Sequence, residues 1–290
     1  MILITGANGT FGSQVAKSLL NREVHHLRLA SSSLEKLKSN FDGQAELVSF
    51  DWSKPETFAS IFQGVKTAYL IAPPFSTTFD ETAAQFIEVA RKTRLKHLIV
   101  TTAYGMDAAE GTSGYKTEKL VKDSGIPYTI LRPNFIFQNF INYDLESIKN
   151  GAIFYPAGTG KTSYISIEDV AEVSAEVLLH PEKYQGQGLT LTGSESLTHD
   201  EIAEIFSKEL GKTIKYINPT EEEYKSTLQS LGVPAQVYDF MAVLYAAIKA
   251  GHMGHVTTTV KDITGQEPVS FREFVAKNKA VFNVPSTVNS

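Results

Sequence analysis

Cysteine is absent from this 290-residue chain. Disulfides, thiolate nucleophiles and cysteine-ligated metal sites are therefore excluded. Positive charge is also scarce: 27 lysines and arginines stand against 32 acidic residues, a net charge of −5. There is no basic footprint for nucleic acid and no polybasic segment for an anionic membrane. No apolar run approaches the ~18 residues that span a bilayer. The first residues read as a structural strand without a basic region or cleavage site ahead of it, so a cytoplasmic protein is expected. Repeats and low-complexity tracts are missing as well. What remains, 42% hydrophobic and 20% charged residues, is ordinary for a globular protein long enough to bury a full core.

The most informative stretch comes first. Met1-Ile-Leu-Ile-Thr5 is a short apolar strand, Gly6-Ala-Asn-Gly9-Thr-Phe-Gly12 a glycine turn, and Ser13-Gln-Val-Ala-Lys-Ser-Leu-Leu20 an amphipathic helix. In such a unit the first glycine permits the tight turn and the second lets backbone approach a pyrophosphate. The third lets helix and strand pack closely, while the helix N-terminus offers free N–H groups to the anion. The flanking strand and helix give the motif its weight. An NAD site places an acid about 20 residues further on, to hold the ribose hydroxyls. Here Ala30-Ser31-Ser32-Ser33 stands there, and the first acid is Glu35. The missing carboxylate favours NADP over NAD. Hydroxyls and backbone N–H groups would receive the 2′-phosphate, with Lys36 or Arg28 nearby for charge. The competing reading is that the serines only cap a helix over residues 34–39.

Further along, strand and helix alternate, the pattern of a doubly wound parallel sheet. Strands are expected over Glu23–Ala30, Glu46–Phe50, Thr67–Ala72, His97–Thr102 and Tyr128–Leu131. Ser53-Lys-Pro-Glu56 reads as a capping box opening a helix that stops near Gly64. A helix over Phe79–Thr93 puts Ala83, Phe86, Ile87 and Ala90 on one face, and Tyr115–Ser124 is helical. Beyond Phe135 the texture becomes mostly helical: Ile167–Leu179, a helix capped by Thr198 and Glu201, and one capped by Thr220 and Glu223. Leu189–Thr192 is a late strand. Val237, Phe240, Met241, Leu244, Ala247 and Ile248 form a stripe ended by Gly251. The expected organisation is a Rossmann core over 1–134 and a smaller, mainly helical lobe over 135–290, with segments of about 151–192 returning to the core.

Several segments together carry a resemblance. They are Ile4-Thr-Gly-Ala-Asn-Gly-Thr-Phe-Gly12, Ser49-Phe-Asp51, Ala68-Tyr-Leu-Ile-Ala-Pro-Pro74, His97-Leu-Ile-Val-Thr-Thr102 and Thr117-Glu-Lys119. To these add Ser124-Gly-Ile-Pro-Tyr-Thr-Ile-Leu-Arg-Pro133, the most specific, and Tyr164-Ile-Ser-Ile-Glu-Asp-Val-Ala171. Together they resemble the NmrA-like family of atypical short-chain dehydrogenases/reductases. The likeness continues through Leu231-Gly-Val-Pro234 and Thr259-Val-Lys-Asp-Ile-Thr-Gly265, so it covers nearly the whole chain. The nearest flavour is that of NAD(P)H-dependent quinone oxidoreductases and triphenylmethane reductases.

The resemblance implies roles residue by residue. Gly6, Asn8, Gly9, Thr10, Phe11 and Gly12 form the pyrophosphate loop. Asp51 meets the adenine and Trp52 covers the ring, a core tryptophan being the other reading. Ile71, Ala72, Pro73 and Pro74 end a strand beside the cofactor. Pro133, Asn134 and Phe135 lie where the family's backbone meets the nicotinamide. Tyr115-Lys-Thr-Glu-Lys119 matches Tyr-x-x-x-Lys, which puts both side chains on one side of a helix. Lys119 falls on the family's lysine and would hold the nicotinamide ribose and lower the Tyr115 pKa for proton transfer. Many members lack that tyrosine. Thr102 is the expected polarising hydroxyl, the alternative being a strand-end threonine bonded to backbone.

Two motifs mislead. Ala157-Gly-Thr-Gly-Lys161-Thr162 suggests a triphosphate loop, but Tyr155 stands where that loop needs glycine. His252 and His255 are three apart with no third ligand, so no metal site is expected. His25 and His26 should alternate across the second strand. The expected function is an NAD(P)H-dependent oxidoreductase, NADP preferred, passing hydride to a flat conjugated small molecule such as a quinone or dye. Pro74, Tyr104, Phe135, Phe137, Phe140, Phe240 and Tyr245 would line the acceptor pocket by stacking, unless they are simply core. The alternatives are a dinucleotide-sensing regulator without turnover and, more distantly, a nucleotide-sugar epimerase. A homodimer is left open, and neither nucleic acid nor membrane is an expected partner.

Overall fold

The computed structural model describes residues 1–73 and 75–283. In chain order the elements begin β1 (Ile2–Ile4), α1 (Thr10–Asn21), β2 (Leu27–Ser31), α2 (Leu34–Phe41), β3 (Glu46–Ser49), α3 (Phe58–Ile61), β4 (Thr67–Ile71), α4 (Phe79–Lys92), β5 (His97–Thr101), α5 (Ser113–Asp123) and β6 (Tyr128–Pro133). They continue with α6 (Asn139–Asn142), α7 (Leu145–Lys149), β7 (Ala152–Phe154), α8 (Ile167–Leu179), β8 (Gln187–Leu191), α9 (His199–Leu210), β9 (Lys215–Ile217), α10 (Glu221–Ser230), α11 (Ala235–Lys249), α12 (Thr259–Thr264), α13 (Phe271–Lys277) and α14 (Lys279–Asn283). Two compact units result. The first comprises residues 1–133, 167–191 and 262–265; the second holds 134–166, 192–261 and the remainder.

The first unit is the doubly wound α/β fold. Its seven strands run parallel in the order β3-β2-β1-β4-β5-β6-β8. The order reverses at β1, with β2 on one side and β4 on the other. Ligands in such sheets bind beyond the carboxyl ends of the strands at this switch point. The strands read as apolar runs because both faces are covered, and all five residues of β5 are buried. Alternation in β4 sorts its side chains. Ala68 and Leu70 join a core cluster with Phe50, Phe58, Phe62 and Phe86. Tyr69 takes the other face, where its hydroxyl bonds with Thr101 and lies 3.2 Å from Ser174 Oγ of α8. On α4, Ala83, Phe86, Ile87 and Ala90 are buried, and full burial of a phenylalanine such as Phe86 contributes ~1.5–3 kcal/mol.

Two expectations need correction here, the start of β2 and the capping box at Ser53. β2 starts only at Leu27, because Glu23 takes a left-handed φ of 58° in the turn after α1. His25 and His26 therefore precede the strand and are both exposed. Ser53 and Glu56 form no capping box: Asp51 Oδ1 accepts the Ser53 N–H (2.9 Å) and hydroxyl (2.7 Å), and a 3-10 turn, Pro55–Thr57, leads into α3. The glycine-rich Ala157–Thr162 segment contains no strand-to-helix transition.

The second unit is mainly helical, with one parallel strand pair, β7 and β9, too short for a periodic signal. Capping boxes open α9 at Thr198/Glu201 and α10 at Thr220/Glu223, and a third of the same signature, Ser270/Glu273, opens α13. Its core is aromatic: Phe137, Phe140, Phe206, Phe271, Phe274 and Phe282 interlock with ring centroids 5.0–6.3 Å apart. The stripe expected on α11 is displaced. Tyr238, Tyr245 and Ile248 are its buried residues, whereas Phe240, Met241 and Leu244 are half-buried.

Candidate dinucleotide site

The loop after β1 is built by backbone geometry. The Thr5 hydroxyl donates to the Tyr69 carbonyl and accepts from the Ile71 N–H, both at 3.0 Å, which pins the ends of β1 and β4 together. Gly6 adopts φ +61°, open to glycine at little cost. Gly9 N–H donates to Gly6 O at 2.9 Å, and Gly9 caps α1 with no side-chain bond. The first N–H groups of α1 thus have neither a helical partner nor a capping side chain. At Gly12 a Cβ would lie 2.5 Å from Gly6 O and 2.8 Å from Ala7 Cα. The helix start is jammed against the turn, leaving Gly9 and Thr10 exposed. An exposed, uncapped helix N-terminus held by glycines fits a pyrophosphate.

Asn8 is a brace. Its Nδ2 donates to Ser31 Oγ (2.8 Å) and Ser33 O (2.7 Å), tying the loop to the end of β2. Its buried Oδ1 has no hydrogen-bond partner among the described residues. The three serines divide their work. Ser31 is buried and accepts from Asn8, Ser33 caps α2 through the Lys36 N–H (3.4 Å), and Ser32 is exposed. Exposed Lys36 stands on the first turn of α2. Arg28 does not serve this end of the strand. It is buried, paired with Glu46 at 2.9 Å, and donates to the carbonyls of Ile61 and Gln63.

The Asp51 carboxyl accepts from Ser53, and these bonds hold its pKa below the usual carboxylate range. Trp52 packs edge-on against Phe50 (4.6 Å) and Phe79 (5.0 Å), a partly buried ring set against the core cluster. Ile71, Ala72 and Pro73 are half-buried beyond β4. Pro74 lies outside the described residues.

The expected catalytic trio is rearranged. α5 turns Thr117, Glu118 and Val121 inward. Lys119 points out, 68% exposed, and pairs with Asp123 at 3.0 Å, which raises its pKa. The Tyr-x-x-x-Lys spacing is satisfied, with Lys119 on the exposed side of α5 and Thr117, Glu118 and Val121 on its buried side. Thr102 is occupied too. Its hydroxyl donates to Glu118 Oε1 at 2.8 Å. Glu118, only 1% exposed, also receives two hydrogen bonds from Arg132 at 2.8 and 2.6 Å. Burial opposes ionisation, but the bonds from Arg132 and Thr102 outweigh it and hold the Glu118 carboxyl below its ordinary range. Both charged residues sit in quoted motifs, Thr117-Glu-Lys119 and Leu-Arg-Pro133. Nothing in their spacing announces a buried pair. Tyr115 is half-buried, and the Tyr104 N–H donates to Pro133 O at 3.0 Å.

Several expected acceptor-lining residues lie in the core of the second unit. Phe137 and Phe140 are fully buried among Phe206, Phe271 and Phe274, and Tyr245 is buried against Tyr155. α13 supplies the covering rings, which is why the sequence order hid this. The Asn134 side chain is fully engaged: Nδ2 donates to Ser163 Oγ and Met253 O, and Oδ1 accepts from Phe135 N–H. Phe135 is half-buried, its ring 5.7 Å from Tyr164.

A parallel sheet with an open glycine-held helix N-terminus at its switch point defines a Rossmann-type dinucleotide-binding protein. Residues 1–261 match the NmrA-like family, and the chain belongs to it. Among curated relatives, the oxidoreductase YesF of Bacillus subtilis is 32% identical over 96% of this chain and 95% of its own length. The NAD(P)H azoreductase of Xenophilus azovorans is 27% identical over 97% and 99%. Among solved structures, Citrobacter sp. triphenylmethane reductase complexed with NADP(H) superposes with a TM-score of 0.86 at 26% identity, covering 96% of this chain and 100% of the other.

Proposed function

We propose that this protein is an NAD(P)H-dependent reductase of flat, conjugated small molecules, quinones or dyes, and that it prefers NADPH. The observation that carries this reading is the glycine loop: Gly12 has no room for a Cβ, and the α1 N-terminus it exposes has no side-chain cap. The relatives support the same activity, being an oxidoreductase, an azoreductase and a dye reductase. Pyrophosphate oxygens accept from the N–H groups that open α1. The 2′-phosphate is received by Ser32, the N–H groups of the first turn of α2 and the Lys36 ammonium, with no carboxylate at residues 31–33 to repel it. Thr5 keeps the β1 and β4 ends in register beneath the ligand. The bound dinucleotide supplies the hydride. A net charge of −5 argues against nucleic acid as a partner, and no described helix is long and apolar enough to cross a membrane.

Stopped-flow measurement of NADPH absorbance with a panel of quinones, azo and triarylmethyl dyes tests this reading. Turnover with at least one acceptor is expected, with NADPH binding more tightly than NADH. Tight NADPH binding without turnover of any acceptor would replace the reductase reading with a dinucleotide-sensing regulator.

A further inference from the structure

Within the first unit, the loop between β1 and α1 is tied to the end of β2 more heavily than the fold requires. Main chain already joins them, because the Ala7 N–H donates to Ala30 O at 3.1 Å. The Asn8 amide adds two bonds, to Ser31 Oγ at 2.8 Å and Ser33 O at 2.7 Å. Its own Oδ1 is left buried without a partner among the described residues, which is costly for a mere strand tie. The amide has only one workable orientation. Turned over, it would set Oδ1 against the Ser33 carbonyl, acceptor against acceptor. The donor side of Asn8 is therefore fixed on Ser31.

Ser31 becomes a hydroxyl with one direction left. It closes β2, is 7% exposed, and its main-chain carbonyl accepts the Phe50 N–H at 2.9 Å. A serine oxygen carries two lone pairs and one proton. Asn8 Nδ2 takes one lone pair, and the Ser33 N–H approaches the other at 3.5 Å. Among the described residues no acceptor takes the Ser31 proton. The side chain can donate but not accept. In a dinucleotide-binding sheet the adenosine ribose lies at this strand end, and an NAD site puts a carboxylate there to accept from the ribose hydroxyls. Ser31 has the opposite polarity. A phosphate offers acceptor oxygens and matches it, whereas the proton of a ribose hydroxyl finds no acceptor on this side chain.

We propose that Asn8 is the positioning residue that sets the NADPH preference: by occupying Ser31 Oγ, it makes the Ser31 hydroxyl a dedicated donor to the 2′-phosphate. The proposal rests on the reading of NADPH as the preferred cofactor. Without the Asn8 amide, Ser31 Oγ is free to accept, and the same hydroxyl serves a ribose 2′-hydroxyl as readily as a phosphate.

The test is titration calorimetry on the full chain, with NADPH, NADH, adenosine 2′,5′-bisphosphate and 5′-AMP, for wild type, Asn8→Ala, Ser31→Ala and the double variant. It needs no turnover. A hydrogen bond to a charged group corresponds to roughly ten- to a hundredfold in affinity. Ser31→Ala should therefore weaken NADPH and the bisphosphate by roughly tenfold or more, and leave NADH and AMP within about threefold. Asn8→Ala should lower the NADPH-over-NADH affinity ratio by about fivefold or more. The double variant should match the ratio of Ser31→Ala within about twofold, because Asn8 acts through Ser31. A purely structural Asn8 would weaken both cofactors alike. Equal losses on NADPH and NADH in Asn8→Ala, or additive losses of the ratio in the double variant, overturn the proposal. Ser31→Ala keeps the Asn8–Ser33 bond and so tests the same point in a variant whose loop stays tied; an unchanged ratio there overturns it too. A wild type that binds the bisphosphate no better than AMP instead defeats the NADPH preference itself, and the proposal with it.

Discussion

Replacing Glu118 with alanine should be among the most damaging single changes in the first unit. The carboxylate is 1% exposed and collects two bonds from Arg132, one from Thr102 and a longer contact with Lys122 at 3.4 Å. Among the described residues, its removal leaves the buried Arg132 guanidinium with only Asp107 as an acidic partner, at 3.3 Å and itself half exposed. Breaking a buried pair by removing one partner costs about 3–5 kcal/mol, a large share of a typical 5–15 kcal/mol total. At roughly 2–4 °C per kcal/mol, the melting midpoint should drop by roughly 6–20 °C in a far-UV circular dichroism melt. Glu118→Leu with Arg132→Met, which removes both charges, should recover much of the loss. The acid limb gives a second readout. The folded Glu118 pKa is depressed, so its stabilisation is present above the ordinary value of 4.5 and is lost as pH falls through the lowered one. Glu118→Gln should therefore flatten the fall in stability below about pH 4.5. A single-variant loss under about 1 kcal/mol, or a double variant less stable than Glu118→Ala, would refute this account.

Gly12→Ala should weaken NADPH binding by more than about tenfold in titration calorimetry and cost roughly 1–3 kcal/mol of stability, because its Cβ meets Gly6 O at 2.5 Å. Ser32→Asp should invert the preference from NADPH to NADH by repelling the 2′-phosphate, which direct titration with both cofactors measures. Lys119→Ala should leave the reductase rate within about threefold of wild type, since the side chain faces solvent on Asp123; a hundredfold loss would restore it to the site. Burial depresses the pKa of both His97 and His199 to about 4. The folded state resists protonation there, so stability should fall as pH drops from about 6.5 towards 4. Urea melts should show a shallower fall in His199→Phe.

Much of the fold was legible in the sequence. β1, the glycine loop and α1 announce themselves because a tight turn, a backbone approach and a helix start each demand particular residue types at fixed offsets. The α4 stripe and the capping boxes of α9 and α10 were readable for the same local reason: periodicities of 3.6 and caps of four residues fit within a short window. The site was less so. Tyr115 and Lys119 satisfy a local spacing, but spacing says only that two side chains share a side of a helix. Which side faces the sheet was decided by Glu118, whose partners Thr102 and Arg132 lie 16 and 14 residues away and meet it only once β5, α5 and β6 have packed. Likewise Phe137 and Phe140 look alike as pocket or core until α13, more than a hundred residues later, closes over them. The sequence alone thus determined where the open, glycine-held helix N-terminus stands, because that feature is made of backbone and the absence of side chains. Tertiary packing alone decided which polar side chains are free to react, because burial and long-range hydrogen bonding commit the others.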